Sequence, residues 1–298
     1  MTFRKLRVPA SSANLGPGFD ALGLALGIHL ECRFRPAKTL CIRVAGRDAG
    51  MISTGADNLI WKTALDIAAS VGRELPAAEL EIDNQIPLGK GLGSSAAALT
   101  AGVVIADKLL GLRWPKKRVL DEAARLEGHP DNVAACVHGS IVASATDSFG
   151  QTHAVRMDLH SRFAIAVVVP DFLLPTVEAR RVLPKTYSKE DAIFNVQRSA
   201  LLITALATGN ADAFPTALED RMHQPYRAAL VPGLEQIIKL RSKGLLGCAL
   251  SGAGPSILVF YERGYENVCQ SVQHAFSAHG KDSEVILTEL ALHGYEFA

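Results

Sequence analysis

Apolar and polar positions switch between two periods along the chain. Residues 24–34 and 39–44 predict strands, whereas over 58–71 the apolar residues Leu59, Ile60, Ala64, Ile67, Ala68 and Val71 recur at near-helical spacing and predict an amphipathic helix. Leu80-Glu81-Ile82-Asp83 alternates with a period of two, as a half-buried strand does. A Gly-rich stretch at 87–93 follows, and Ser94–Leu110 is almost continuously apolar, which predicts a helix buried on most sides and stopped by Gly111. A further helix is predicted over 115–126. Beyond it, 163–169 reads as a strand and 192–208 as a helix ended by Gly209-Asn210. A helix around 234–242 precedes strands at 246–250 and 256–261, which flank Ser251-Gly252-Ala253-Gly254-Pro255 as in a hairpin. The polar, turn-like Asp147-Ser148-Phe149-Gly150-Gln151 divides the chain into 1–150 and 151–298. No repeat interrupts this mixed α and β pattern.

Composition narrows the partners. The 298 residues carry 31 Lys+Arg against 30 Asp+Glu, a net charge of +1, so no strong field draws the chain to nucleic acid or to an acidic membrane. With 48% hydrophobic and 20% charged residues it has the make-up of an ordinary globular enzyme. Five cysteines, Cys32, Cys41, Cys136, Cys248 and Cys269, form no C-x-x-C pair and read as buried, reduced thiols. The N-terminus runs into a polar stretch rather than an apolar signal core, and Pro170 ends the apolar run 163–169 well short of a membrane span. The expectation is a soluble, cytoplasmic protein with small-molecule partners.

Candidate chemistry concentrates in three glycine-containing stretches. In Gly89-Lys90-Gly91-Leu92-Gly93-Ser94-Ser95-Ala96-Ala97, glycines allow close approach of an anion just where a helix begins. The first amides of a helix have no intrahelical acceptor and sit at its positive dipole end, so the stretch describes a phosphate cradle. It is neither a Walker A nor a G-x-G-x-x-G motif, which argues against P-loop and Rossmann readings. Pro9-Ala10-Ser11-Ser12-Ala13-Asn14-Leu15-Gly16-Pro17-Gly18-Phe19-Asp20 combines small residues with an amide and a carboxylate, and on its own reads more readily as a turn-rich loop between strands than as a site. Leu250-Ser251-Gly252-Ala253-Gly254-Pro255-Ser256 reads equally as a plain hairpin turn.

Together the three stretches resemble the motifs of the GHMP kinases, the superfamily of galactokinase, homoserine kinase and mevalonate kinase, and the wording of Pro9–Asp20 and of Leu250–Ser256 is that of the homoserine kinases. The resemblance implies an α+β, two-domain GHMP kinase fold. Its N-terminal half would be of the ribosomal protein S5 domain 2-like type and its C-terminal half ferredoxin-like, with the site in the cleft between them. It implies ATP-dependent phosphorylation of the L-homoserine side-chain hydroxyl to O-phospho-L-homoserine in threonine biosynthesis, with Mg²⁺ as cofactor. Homodimers are common in the family.

Residue by residue, the resemblance implies that Pro87, Leu88, Gly89, Lys90, Gly91, Leu92, Gly93, Ser94, Ser95, Ala96 and Ala97 wrap the ATP phosphates and that Ser95 and Glu127 bind the metal. Such a hydroxyl and carboxylate suit Mg²⁺, which takes hard oxygen ligands. Lys90 would offset phosphate charge. Asn14, Asp20, His129, Asn132, Arg180, Arg227 and Gly252 match substrate-side positions, the arginines on the substrate carboxylate, where a planar fork binds two oxygens at once. Only Gly128 separates Glu127 from His129, a shorter spacing than in many homologues. Two readings of Asn58 stand, contact with the adenine base or N-cap of the following helix. Two readings also stand for the chemistry: Asp131 as a base, or transfer without one, with Asn132 orienting the hydroxyl.

Overall fold

The computed structural model describes residues 2–297. The first half contains β1 (Arg4–Ala13), β2 (Leu22–Pro36), β3 (Cys41–Gly46), α1 (Leu59–Ser70), β4 (Ala78–Asn84), α2 (Ser94–Leu110), α3 (Lys116–Glu127), α4 (Asp131–His138), β5 (Ile141–Thr146) and β6 (Thr152–Met157). The second contains β7 (Phe163–Pro170), α5 (Thr176–Arg181), α6 (Lys189–Thr208), the short α7 (Phe214–Ala217), α8 (Gln224–Arg227) and α9 (Leu234–Ile237), then β8 (Leu245–Leu250), β9 (Ile257–Glu262), α10 (Cys269–Ala278), β10 (Ser283–Thr288) and β11 (Glu296–Phe297).

The first sheet runs β11-β1-β2-β4-β3, with β5 on the start of β2 and β6 on β5. Among the described residues, only β3 and β4 pair in parallel in this sheet. The polar turn at 147–151 is thus a hairpin connection inside the first sheet, and the chain changes sheets between Met157 and Phe163. The second sheet is fully antiparallel in the order β10-β7-β9-β8. Numbered along the chain its strands lie 4-1-3-2, with α5 to α9 in one crossover and α10 in the other, which is the ferredoxin-like arrangement.

Helix α2 lies at the centre of the first half because its side chains are small and apolar. Ala96, Ala97, Ala101, Val103 and Ala106 have no exposed surface, and the helix packs against α1, α3, α4 and β1. Apolar contact continues into the second half through Phe163, Phe214 and Phe260. Phe214 meets Phe163 edge-on at 5.1 Å and Phe260 at 5.8 Å. All five cysteines are free thiols, four of them buried. Among the described residues no helix is long and apolar enough to cross a membrane.

The helix expected around 234–242 spans only Leu234–Ile237. The chain must then turn through Gly244 to enter β8, and only the apolar face of the first turn is buried. The first glycine-containing stretch also differs from a loop: its residues 9–13 are the buried end of β1, and turning starts at Asn14.

Truncating Phe214 to Ala should cost about 3–5 kcal/mol by leaving a cavity between α7 and the sheet face formed by Phe163 and Phe260. Urea unfolding measures this, and an unchanged midpoint would contradict a continuous core.

Candidate active site

Backbone hydrogen bonds tie the three glycine-containing stretches into one wall. Ser11 N donates to Leu92 O (3.1 Å), Gly252 N to Ala13 O (3.0 Å), Ser256 N to Lys90 O (3.2 Å) and Leu174 N to Gly89 O (3.2 Å). Side chains add to this: Ser251 Oγ donates to Gly91 O (2.7 Å) and lies 2.8 Å from Ser12 Oγ, while Ser11 Oγ donates to Asn132 Oδ1 (2.9 Å). Two glycines permit the contact. A Cβ on Gly91 would stand 2.3 Å from Ser251 O, and one on Gly93 would stand 2.0 Å from Ser11 Oγ. Both residues also adopt left-handed φ, at 75° and 69°.

Gly93 precedes α2 without a capping side chain, and the first intrahelical bond runs from Ala97 N to Gly93 O. The amides of Ser94, Ser95 and Ala96 therefore lack intrahelical acceptors and present the positive end of a 17-residue helix. Ser94 and Ser95 line two adjoining spaces. On one side is an apolar pocket of about 370 Å³, walled by Leu30, Ile52, Leu59, Ile60, Ile82 and Leu88 among others. On the other is a polar cleft of about 120 Å³ that takes in Asn14, Asp20, Glu127, His129, Asp131, Asn132, Arg180, Arg227 and Gly252. A larger groove of about 870 Å³ opens elsewhere, between β2 and the β7–β10 edge, and contains none of these residues.

Within the cleft, Ser95 Oγ donates to Glu127 Oε2 (3.0 Å). Burial pushes the Glu127 carboxyl above the usual range, against the opposing pull of His129 and the Ser95 hydrogen bond. The short spacing still brings His129 into the cleft, because Gly128 ends α3 and the chain doubles back into α4. Its Nδ1 donates to Asp131 Oδ1 (2.7 Å). Burial alone would lower the His129 pKa, but the hydrogen bond and charge of Asp131 prevail and raise it. The same Asp131 oxygen also accepts Asn132 N at the start of α4 (2.7 Å).

The far end of the cleft holds charge of both signs. Arg180 on α5 grips Asp20 through two hydrogen bonds, 3.2 and 2.7 Å. Arg227, only 1% exposed, donates from Nε to Ala179 O and from Nη1 to Gly252 O and His223 Nδ1. Burial, and then the nearby Arg180 charge, lower its pKa to about 10, so it stays cationic at neutral pH. Both guanidinium groups flank the Phe19 ring, at 5.7 and 5.6 Å. Asn14 Nδ2 donates to Gly252 O (2.9 Å), and its Oδ1 accepts Asp20 N.

Some expected residues stand apart. Lys90 does not line the cleft: its ammonium donates to Pro170 O (2.7 Å) and Phe172 O (2.8 Å), tying the loop to the second half. In this arrangement the ammonium faces the carbonyls at and just after the end of β7 rather than the cleft. Asn58 caps α1, its Oδ1 accepting Ile60 N and Trp61 N and its Nδ2 donating to Ser53 O. Its polar edge is thereby occupied, although the residue lines the apolar pocket. Pro87, Leu92, Ala96 and Ala97 are buried, so they shape the loop through backbone and packing. Sequence reasoning passed over Ser11, Ser12 and His223, all fully buried. His223 left one trace, a spacing of four residues before Arg227 across a Pro-containing helix start.

Residues 58–140 match the family model described as GHMP kinases N terminal domain, and residues 202–280 match that described as GHMP kinases C terminal. The fold is that of the GHMP kinase class. Over 291 residues the chain is 66% identical to a homoserine kinase from Solibacter usitatus (strain Ellin6076), covering 98% of this chain and 96% of that relative. A homoserine kinase from Deinococcus radiodurans is 45% identical over 87% of this chain and 84% of its own. The crystal structure of a homoserine kinase from Cytophaga hutchinsonii matches with a TM-score of 0.84 at 28% identity, covering 100% of this chain and 98% of the other. The chain belongs to the homoserine kinase family.

Replacing Lys90 with Met should lower stability by about 1–2 kcal/mol by orphaning two carbonyls, with kcat retained within about threefold. Thermal unfolding and steady-state turnover test this, and a hundredfold loss of kcat at unchanged stability would return Lys90 to the chemistry.

Proposed function

We propose that the chain transfers the γ-phosphoryl group of ATP to the side-chain hydroxyl of L-homoserine, yielding ADP and O-phospho-L-homoserine, a step of threonine biosynthesis. One observation carries the reading. The free amides at the start of α2 lie between an apolar pocket fit for a base and a polar cleft whose far end carries a guanidinium–carboxylate pair. A nucleotide lying across the helix start would point its terminal phosphate into that cleft. Phosphoryl transfer needs alignment and charge neutralisation more than covalent help.

The acceptor end suits an amino acid. Homoserine carries an ammonium and a carboxylate, and the Asp20–Arg180 pair offers one partner for each. Binding would exchange an internal ion pair for two ion pairs with substrate, leaving no charge unmatched. Arg227 adds a second cation whose Nη2 has no protein acceptor among the described residues. Its three other contacts fix the plane of the fork.

For the cofactor, the donor set fits Mg²⁺. A hydroxyl and a carboxylate meet at the helix start, and burial leaves the Glu127 carboxylate short of compensating charge. Ser95 and Glu127 would hold the ion. Bound there, Mg²⁺ would supply countercharge for the phosphate oxygens. Asp131 is the proposed acceptor of the hydroxyl proton. His129 and the Asn132 amide hold its Oδ1, and no protein donor among the described residues claims Oδ2. Asn132 Oδ1 accepts Ser11 Oγ, and its Nδ2, 3.5 Å from Asp131 Oδ1, would orient the hydroxyl.

Two outcomes test this. ADP release in a coupled assay should require L-homoserine, with kcat/KM at least about a hundredfold lower for butan-1-ol, which lacks both charged groups. Equal rates would contradict the charged clamp. Asp131→Asn should cut kcat by about a hundredfold or more while homoserine KM stays within about threefold. Activity within tenfold of wild type would mean that transfer proceeds without this base.

A further inference from the structure

His223 lies outside the cleft lining yet has no exposed surface. Its ring stacks on Phe19 at 5.4 Å and 24°, on the ring that both arginines flank. Its two nitrogens face partners of fixed polarity. Nε2 lies 2.6 Å from Gly16 O, which can only accept, and Nδ1 lies 3.0 Å from Arg227 Nη1, which can only donate. The imidazole must therefore be neutral, with its proton on Nε2. Protonation at Nδ1 would cost the Arg227 contact.

The surroundings hold the ring in place. Asp220 Oδ2 lies 3.5 Å from Nε2 but accepts the backbone amides of His223 and Gln224, and its Oδ1 accepts Met222 N and Asn195 Nδ2. Asn195 in turn donates to Pro17 O, so α6, the loop before α8 and the turn after β1 are joined at this point.

We propose that His223 is a positioning residue for the acceptor clamp. As a neutral imidazole it presents Nδ1 as an acceptor to the Arg227 guanidinium, so the fork meets the acceptor carboxylate already oriented. The proposal rests on the functional reading above, in which Arg227 binds the carboxylate of the amino-acid acceptor. Orientation is worth more here than charge, because Arg227 keeps its charge whether or not His223 is present, while its plane depends on each acceptor that holds it.

Two variants separate the ring's two hydrogen bonds. In His223→Gln the side-chain amide nitrogen can replace Nε2 toward Gly16, but the acceptor for Arg227 is lost. In His223→Asn the side-chain oxygen takes the place of Nδ1 and keeps that acceptor. Steady-state kinetics with both substrates varied should show homoserine KM raised about tenfold or more in His223→Gln, with ATP KM within about twofold. His223→Asn should restore homoserine KM to within about threefold of wild type. A merely structural role would move both KM values together, or only the melting temperature, and either result would overturn the proposal. So would an Asn variant as impaired as the Gln variant. If His223→Gln does not fold, His223→Asn decides alone: a homoserine KM near wild type supports the proposal, and a tenfold rise overturns it. A wild-type chain that releases no ADP with homoserine would instead overturn the functional reading, which the same assay registers before any variant is compared.

Discussion

The site depends on the close approach of three chain segments that are distant in sequence. Backbone bonds from β1 to the loop before α2, from the β8–β9 connection to the end of β1, and from that connection back to the loop leave no room for side chains at Gly91 and Gly93. This contact fixes the direction in which α2 starts. Because the amides of Ser94 to Ala96 have no partners within the helix, fixing the helix start also fixes where an anion is best satisfied. The buried, alanine-rich body of α2 anchors that direction to the core of the first half.

The second half contributes the charges. Arg180 and Arg227 come from α5 and α8, and each is tied to the first half or to the β8–β9 connection through Asp20 and Gly252. Lys90 spans the two halves from the other side, on the carbonyls of Pro170 and Phe172. The cleft is thus assembled from both halves without belonging to either. Two of its charge pairs are matched internally: Asp20 with Arg180, and His129 with Asp131. A zwitterionic acceptor can exchange partners with such a pair at little electrostatic cost, whereas a singly charged molecule would strand one member.

Long elements with a strong period were legible from sequence alone. The α2 span agrees at both ends, and α1 starts directly after Asn58. The strand β1 was hidden because Ser11 and Ser12 are polar residues inside the core, there to bond Asn132 and Ser251 rather than water. The residues of the cleft were legible through their motifs, and the fold gathers most of them around one cleft. What sequence could not give is competition for a side chain. Lys90 meets its carbonyl partners 80 residues away, and Asn58 is consumed by its own helix, so a correct neighbourhood did not guarantee a free functional group. His223 escaped for the opposite reason: nothing in its own neighbourhood marks it, and its importance comes from contacts with Gly16 and Arg227.

A ternary crystal structure with a nonhydrolysable ATP analogue and L-homoserine tests the central claim most directly. The account predicts phosphate oxygens within hydrogen-bond distance of the amides of Ser94, Ser95 and Ala96, and the homoserine carboxylate on Arg180 and Arg227, with Arg180 released from Asp20. A triphosphate bound away from the start of α2, or an acceptor bound with the Asp20–Arg180 pair intact, would contradict it.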